Sequence, residues 1–552
     1  DELFGKKTGI CSGIGSSQHL YHKGFISNGP QGLLVPVGSG IAFNGKNNNS
    51  IVATIIGEGT FGEGVVYEAL NLASLLKLPQ MFICENNFYS QSTSQDNNTS
   101  GDIKSRFEAF GIKTFTFNTW EITELFNGVE EAYKEIKNNS GPVAIIIQTY
   151  RLNAHSKGDD DRSADEINYF QNIDPLNNVR KASSYFEKKF VLIDEEINKY
   201  FEESSKKESL DFNSYLEDQL PRDTSDSYKD TTTDYKGRFI EVINNFLHNF
   251  SSSGGVIIGE DIADPYGGAF KATKGISKKY PGKVVNTPIS EAAIVGMAAG
   301  IALTGGKACA EIMFGDFVTN AFDQIINGIS KYYHMYGKNV SCPAILRMPM
   351  GGKRGYGPTH SQSLEKFLCG IDNLLVVSPS SLEDPQLTYK DIFAQKCPSI
   401  IIENKIEYTR KSIKINSNLE IKKNNIPLGN ILIKPKYNES HFCIVTYGES
   451  GRLLYENYDK IVEESNATFI LVNLLKLNPL DVSSYIKQIS KTQGVLIIEE
   501  GSVNFGISAE IAFLLKNNSY PGKIRRLGSF PVPIPSPKNL EEQCLPSIKR
   551  IC

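Results

Sequence analysis

Residues 51–89, IVATIIGEGTFGEGVVYEALNLASLLKLPQMFICENNFY, leave this chain the fewest choices of fold. The stretch opens on an apolar run, residues 51–56, rich in β-branched side chains, as expected of a strand buried on both faces. Gly57, Gly59, Gly62 and Gly64 supply a turn, residues 65–76 carry helical periodicity, and Pro79 stops that helix. Residues 80–84 read as a second buried strand ending at Glu85-Asn86-Asn87. Strand, helix and strand in this order predict a right-handed crossover between parallel strands. Glu58 and Asn87 then stand at the carboxyl edge of the sheet, where open α/β sheets bind ligands.

The turn itself suits more than one ligand. Gly57-Glu58-Gly59-Thr60-Phe61-Gly62 matches the dinucleotide fingerprint, and Glu85 supplies an acid at the next strand end. A carboxylate at Glu58 would repel a bare pyrophosphate, but it suits a divalent cation lying between carboxylate and phosphate. Glu58, the Asn87 amide oxygen and a backbone carbonyl near Tyr89 are hard oxygen ligands suited to Mg²⁺ or Ca²⁺. No Lys-Ser/Thr ending follows, which excludes a P-loop. From spacing alone a metal-diphosphate site, a dinucleotide loop and a structural turn all stand open.

The turn with Glu58, then Glu68-Ala69-Leu70-Asn71 on the helix, then Glu85-Asn86-Asn87 at the next strand end resembles the thiamine-diphosphate motif. The form resembles the decarboxylating component of 2-oxo acid dehydrogenase complexes, of the pyruvate dehydrogenase type, with Glu58 where the family usually has Asp. The resemblance runs over essentially all 552 residues, with the family's alpha and beta subunits joined in one chain. It implies an α/β chain of transketolase-like, thiamine-diphosphate-binding fold: two parallel-sheet domains and a smaller C-terminal α/β domain. It also implies thiamine diphosphate and Mg²⁺ as cofactors. Glu58, Asn87 and Tyr89 would hold the metal, and Gly57 and Gly59 would border the diphosphate. His19, in a Gly-Ser-rich loop, would lie beside the cofactor, and the backbone at Gly29, Gln31 and Ile289 would meet the aminopyrimidine ring. In the family a helical segment with a Tyr-Arg pair precedes the position where this sequence starts, and that part of the diphosphate site has no counterpart in residues 1–552.

Four further positions carry both an ordinary reading and one from the resemblance. The polar run 149–162 reads as a solvated loop; by resemblance it is the active-site loop and His155 is catalytic, although Asn153 replaces the first histidine of the usual H-x-H-S form. Glu291 opens a helix, where Ser290 would cap and a carboxylate gains about 0.3–1 kcal/mol from the helix dipole; Thr287-Pro288-Ile289-Ser290-Glu291-Ala292-Ala293 resembles the motif holding the family's invariant catalytic acid. Phe317 reads as core, or as the aromatic stacked on the aminopyrimidine. His360, in the glycine-rich loop 348–363, is an exposed loop residue or a catalytic histidine lining the substrate channel. Lys353 and Arg354 in that loop face a substrate anion or water. Gln91 departs from the bulky apolar side chain that pyruvate-type relatives often place under the cofactor.

The totals agree with a large soluble enzyme. A chain of 552 residues exceeds one core, and 40% hydrophobic with 22% charged residues is ordinary. The net charge of −4 gives no nucleic-acid signal, no apolar run approaches the roughly 20 residues that span a bilayer, and no signal-peptide pattern is seen. Nine cysteines without a C-x-x-C pair suggest neither zinc nor a disulfide framework, and a cytoplasmic location is expected. The expected domains are 1–216 (diphosphate and metal), a polar linker 217–236, 237–424 (aminopyrimidine) and 425–552 (C-terminal, supporting a homodimer and partner docking).

The implied reaction is decarboxylation of a 2-oxo acid with acyl transfer to a lipoyl-bearing acyltransferase or carrier. Glu291 would hydrogen-bond the aminopyrimidine ring, with His155 and His360 as acid–base or electrostatic groups. The rivals are a transketolase-like transfer of a two-carbon unit from a ketose phosphate, a NAD-dependent dehydrogenase built on the Gly57 turn, and a non-enzymatic relative. The dehydrogenase leaves the Glu291 and His360 motifs unexplained, and the retained Glu291, His155 and Asn87 oppose the last.

Overall fold

The computed structural model describes residues 1–139, 141–156, 158, 160–216 and 225–552. They fall into two compact units: residues 1–217, 292–306 and 331–341 form the first, and residues 218–291, 307–330 and 342–552 the second. Among the described residues no helix is long and apolar enough to cross a membrane.

The first unit is built on the expected crossover. β1 (Val52–Gly57), α1 (Gly64–Leu75) and β2 (Gln80–Asn86) are joined by β3 (Lys113–Asn118) and β4 (Val143–Gln148) in a parallel sheet of order β1-β2-β4-β3. One face of α1 (Val66, Ala69, Leu70, Ala73) packs in a core with Phe82, Cys84 and Phe107, so the helical period and the strand period meet in one layer. The expectation that residues 51–56 are buried on both faces is corrected. β1 is the edge strand, and its side chains alternate: Thr54 and Ile56 are buried, whereas Ala53 is exposed and Ile55 is 59% exposed. The mixed-charge region after residue 163 forms helices Ala164–Ile173, Pro175–Ala182 and Ser184–Ser205, whose starts are capped by the side chains of Ser163, Asp174 and Ser183.

α2 (Glu291–Leu303) begins in the second unit at Glu291, and its residues from 292 onward belong to the first. Its small residues allow a close approach to the helix Leu34–Gly45. A side-chain carbon at Gly300 would lie 2.1 Å from the Val37 carbonyl oxygen, and one at Gly40 would lie 2.1 Å from that of Met297. Any larger residue there would push the two helix backbones apart.

The second unit holds two seven-stranded sheets. In the first, β5 (Val256–Gly259), β6 (Ala308–Glu311), β7 (Ile345–Met350) and β8 (Ser399–Asn404) are parallel, with Val284–Asn286 and Leu375–Val377 outside them. Lys476–Asn478 adds to this sheet antiparallel at one edge. In the second sheet the strand Phe442–Tyr447 lies between Phe469–Leu474 and Gly494–Ser502. Leu419–Asn424, which precedes residue 425, and Tyr228–Asp230 complete its far edge. Tyr228–Asp230 falls in the stretch expected as a linker, of which residues 217–224 lie outside the described residues.

Between β6, β7 and β8 a polar cluster is shut inside the sheet. Arg347, 1% exposed, bonds Glu311 and, through its Nε at 3.0 Å, Glu403, while Tyr389 and Tyr408 also donate to Glu403. Every charge there has a partner, and removing one side strands the other. Arg347→Met should therefore destabilise this unit by about 3–5 kcal/mol, the scale of a broken buried pair. A thermal-unfolding midpoint equal to the parent's would contradict that.

Candidate functional site

The register of the first sheet decides where its polar loops meet. Gly57 pairs with Glu85, and Asn86 pairs with Gln148, so the three strand ends lie level. Glu58 follows at once, in the short helix Glu58–Gly62, and is 1% exposed. Its Oε2 accepts the Asn87 N–H at 3.3 Å, while its buried Oε1 has no hydrogen-bond partner among the described residues. Burial raises the Glu58 pKa, against the backbone N–H groups and the nearby positive charge of Arg151.

Asn86 and Asn87 fold the chain into two successive side-chain turns. Asn86 Oδ1 accepts the Phe88 N–H and Asn87 Oδ1 accepts the Tyr89 N–H, each at 3.2 Å. Phe88 takes the left-handed conformation this requires (φ 67°). Nothing lies within 4 Å of a side-chain carbon built on Gly57, whereas one on Gly59 would meet Ser90 Oγ at 2.6 Å. Bare backbone is thus open above one glycine and packed at the other. An orphaned buried carboxylate oxygen beside an amide oxygen fits a hard cation. Among the described residues no three His, Cys, Asp or Glu side chains converge as a metal cluster, so such a cation would draw on amide and carbonyl oxygens as well.

The other expected residues of the first unit surround this edge in two groups. A cavity of about 240 Å³ is lined by Gln31, Gly57, Thr60 and Glu85, among others, and Thr60 donates to Gln31 Oε1 at 2.6 Å. Gly29 lies against the His19 ring, 3.1 Å from a built side-chain carbon. The His19 Nδ1 is buried without a partner, and burial together with the Lys331 charge lowers the His19 pKa. His155 is exposed on the loop after β4; the next residue, Ser156, accepts from Gln91 Nε2 at 3.5 Å. That loop is braced by two arginines that pattern reading passed over. Arg151 donates to the Ser90 and Gln91 carbonyls, and Arg162 donates to those of Arg151 and Asn153 and lies over the Tyr89 and Tyr150 rings.

In the second unit the strand ends carry the remaining expected residues. Glu291 is buried, whereas Ile289 is 85% exposed. The hydroxyl of Ser290 does not cap α2; it donates to the Pro288 carbonyl at 2.8 Å, and its N–H goes to Glu260. Within the first unit, the N–H of Ala293 finds the carboxylate of Glu68 at 2.9 Å. Phe317 is half-buried and edge-on to the His360 ring, with centroids 5.1 Å apart; Phe314 meets the same ring at 4.7 Å. Lys353 and Arg354 are drawn inward: Lys353 Nζ bonds Glu449, and Arg354 donates to the Lys405 carbonyl at 2.8 Å. Two carboxylates hold the glycine-rich loop from below. Glu541 accepts from the N–H groups of Lys353 and Gly355, and Glu500 accepts from that of Gly352. Nothing in the sequence pattern marks this support.

Three family models match successive parts of the chain. Residues 1–211 match the family model for the dehydrogenase E1 component, residues 252–411 the transketolase pyrimidine binding domain, and residues 432–551 the transketolase C-terminal domain. The beta subunit of the pyruvate dehydrogenase E1 component of Rickettsia bellii is 31% identical over 307 residues, covering 54% of this chain and 92% of that relative. The alpha subunit from the same organism is 39% identical over 188 residues, covering 33% of this chain and 58% of that relative. A solved transketolase from Campylobacter jejuni superposes with a TM-score of 0.63 at 18% identity, over 95% of this chain and 82% of that one, which establishes the transketolase-like fold.

The state of Glu58 gives a test independent of turnover. A raised native pKa means that the folded protein holds this proton more tightly than the unfolded chain, a contribution that favours the fold at low pH and is lost as pH rises. Without metal, Glu58→Gln should melt no lower than the parent at pH 8. Addition of Mg²⁺ and thiamine diphosphate should raise the melting temperature of the parent only, and less so as pH falls, because the cation must displace the proton. An equal rise in the variant would remove Glu58 from any metal site.

Proposed function

We propose, from the premise that this chain belongs to the dehydrogenase E1 component family with its alpha-type and beta-type parts in one polypeptide, that it decarboxylates a small 2-oxo acid, with pyruvate the first candidate. It is an enzyme of the thiamine-diphosphate-dependent 2-oxo acid dehydrogenase type. The acyl group would pass to a lipoyl arm on a partner protein, and the working particle would be a homodimer. The observation that carries the reading is the buried, half-satisfied Glu58 carboxylate beside Asn87, inside the part that matches the E1 component.

Thiamine diphosphate, when bound, supplies the sink for the electron pair left as CO₂ departs. The chain's own residues bind, orient and move protons. Glu58, Asn87 and the Tyr89 carbonyl would hold Mg²⁺, with the open backbone at Gly57 facing the diphosphate and Gly59, packed on Ser90, bordering it. In the first unit His19 would lie beside the cofactor and the backbone at Gly29 and Gln31 would meet an aminopyrimidine; in the second unit the Ile289 backbone and the Phe317 ring would be fitted to the same kind of ring. Glu291, a buried carboxylate at the start of a helix, would hydrogen-bond a ring nitrogen and hold the proton there. His155 and His360 would serve as acid–base groups toward the substrate.

The rival transfer of a ketol unit from a ketose phosphate needs cations free for the phosphate. Lys353 and Arg354, the pair that favoured it, are bonded to Glu449 and to the Lys405 carbonyl. That supports the 2-oxo acid.

The deciding assay offers pyruvate, branched 2-oxo acids and ketose phosphates separately to the protein with thiamine diphosphate, Mg²⁺ and an artificial electron acceptor. CO₂ release with acceptor reduction on a 2-oxo acid is the expected result; reduction on ketose phosphates alone, without CO₂, would give the reaction to the rival. Glu291→Gln should bind the cofactor nearly as the parent does yet lose about two orders of magnitude or more in turnover, the scale of a proton-handling group. Unaltered turnover in this variant would leave Glu291 a helix-terminal charge only.

A further inference from the structure

Lys405 is a lysine with no solvent exposure, set immediately after β8 at the sheet edge that carries the His360 loop. Its backbone N–H donates to the Met350 carbonyl at the end of β7, and its Nζ donates to the His360 carbonyl. The ammonium also lies 5.4 Å from the centres of the Phe314 and Tyr356 rings. Among the described residues it forms no ion pair. The charged groups acting on it are Asp316, Glu500 and Glu541, which favour its proton, and Arg354, which opposes it; burial outweighs them and lowers its pKa to about 8.

A methionine would fill much of the same space without desolvating a charge, and an isolated buried ammonium is among the costlier groups a core can hold. The compensation it receives points to one place. Phe314, under the ammonium, is also the ring that meets His360 edge-on at 4.7 Å. Two residues beyond His360, the Gln362 N–H is held by Asp316 Oδ1 at 3.2 Å. The loop backbone is thus fastened after the imidazole, by Lys405 at the His360 carbonyl and by Asp316 at the Gln362 N–H, and before it by the His360 N–H, which donates to the Gly357 carbonyl at 3.2 Å. Nearby, Asp316 Oδ2 and Gln362 Nε2 are buried without partners.

We propose that Lys405 is a positioning residue for His360: its ammonium, held under the Phe314 and Tyr356 rings, pins the His360 carbonyl and thereby fixes the imidazole against Phe314 and Phe317. The proposal rests on the reading of His360 as an acid–base group, and it requires the charge and the donor of Lys405 together. Losing the proton weakens the grip on the carbonyl, so placement of the imidazole becomes pH-dependent on the alkaline side.

The test compares Lys405→Met, Lys405→Arg and His360→Ala, alone and with Lys405→Met combined with His360→Ala. Lys405→Met should lower kcat by about tenfold to a hundredfold, the cost of a misplaced group, with KM and cofactor affinity little changed. Lys405→Arg should recover most of the loss, and Lys405→Met should cost nothing further in the His360→Ala background. Losses that multiply would overturn the proposal. A second readout needs no substrate. In ¹³C-histidine-labelled protein the His360 ring signal, identified by its absence from His360→Ala, should move in Lys405→Met and return in Lys405→Arg. In the unaltered protein the same signal should show a second titration step near pH 8. An unmoved signal, or no second step, would overturn the proposal even if Lys405→Met did not fold. If no 2-oxo acid is turned over, the functional reading falls, while the ring signal still decides the role of Lys405.

Discussion

Parallel strands that end level are the constraint on which this molecule depends. In the first unit the pairings Gly57 with Glu85 and Asn86 with Gln148 bring the turn at Glu58, the turn at Asn87 and the loop carrying His155 to one edge. In the second, Gly259 ends level with Glu311 and Met350 ends level with Asn404, while β7 runs on past Glu311, whose partner is Arg347. The loops that follow carry Glu260, Phe317, His360 and Lys405. No side chain alone could gather such groups, because they come from segments far apart in sequence. The backbone ladder does it, and the polar residues ride on the ends of strands whose interiors are apolar.

Those edges are also where hydrogen bonding is left incomplete. Glu58 Oε1 and His19 Nδ1 in the first unit, and Asp316 Oδ2, Ser361 Oγ and Gln362 Nε2 in the second, are buried without partners. Each costs free energy in the protein alone. The contrast lies a few residues back along the same strands, where Arg347, Glu311 and Glu403 form a cluster with every charge paired. Unpaired groups beside the expected cofactor residues are ones that a bound ligand would complete.

The rival readings are separated by charge placement. A dinucleotide loop needs bare backbone toward phosphate, and the carboxylate of Glu58 stands buried at that position with one oxygen turned to nothing. A phosphate-binding substrate loop needs free cations; Lys353 is paired with Glu449, while Arg354 donates to the Lys405 carbonyl and keeps a buried Nε without a partner. The charge of Glu58 was already legible in the sequence as a misfit for a bare pyrophosphate; its burial, and the pairing of Lys353, were not.

The sequence by itself determined the local elements, because they follow from short-range rules. Periodicity marked α1, Pro79 ended it, Glu291 marked the start of α2, and the apolar run 80–84 marked β2 as a strand. The glycines and the Glu85-Asn86-Asn87 turn marked one sheet edge as a ligand site, since these residues build their turns from their own backbone and side chains. Tertiary structure decided what depends on neighbours. β1 lies at the edge of its sheet, so Ile55 is exposed although its run looked buried on both faces. Ser290 turns its hydroxyl to Pro288 while Glu68, far away in sequence, takes an N–H in the first turn of α2. Glu541 and Glu500 hold the glycine-rich loop, and Lys405 reaches the His360 carbonyl. Hydrogen bonds between distant segments leave no period or spacing in a single sequence, and burial is fixed by which strand becomes an edge; both are properties of the packed chain.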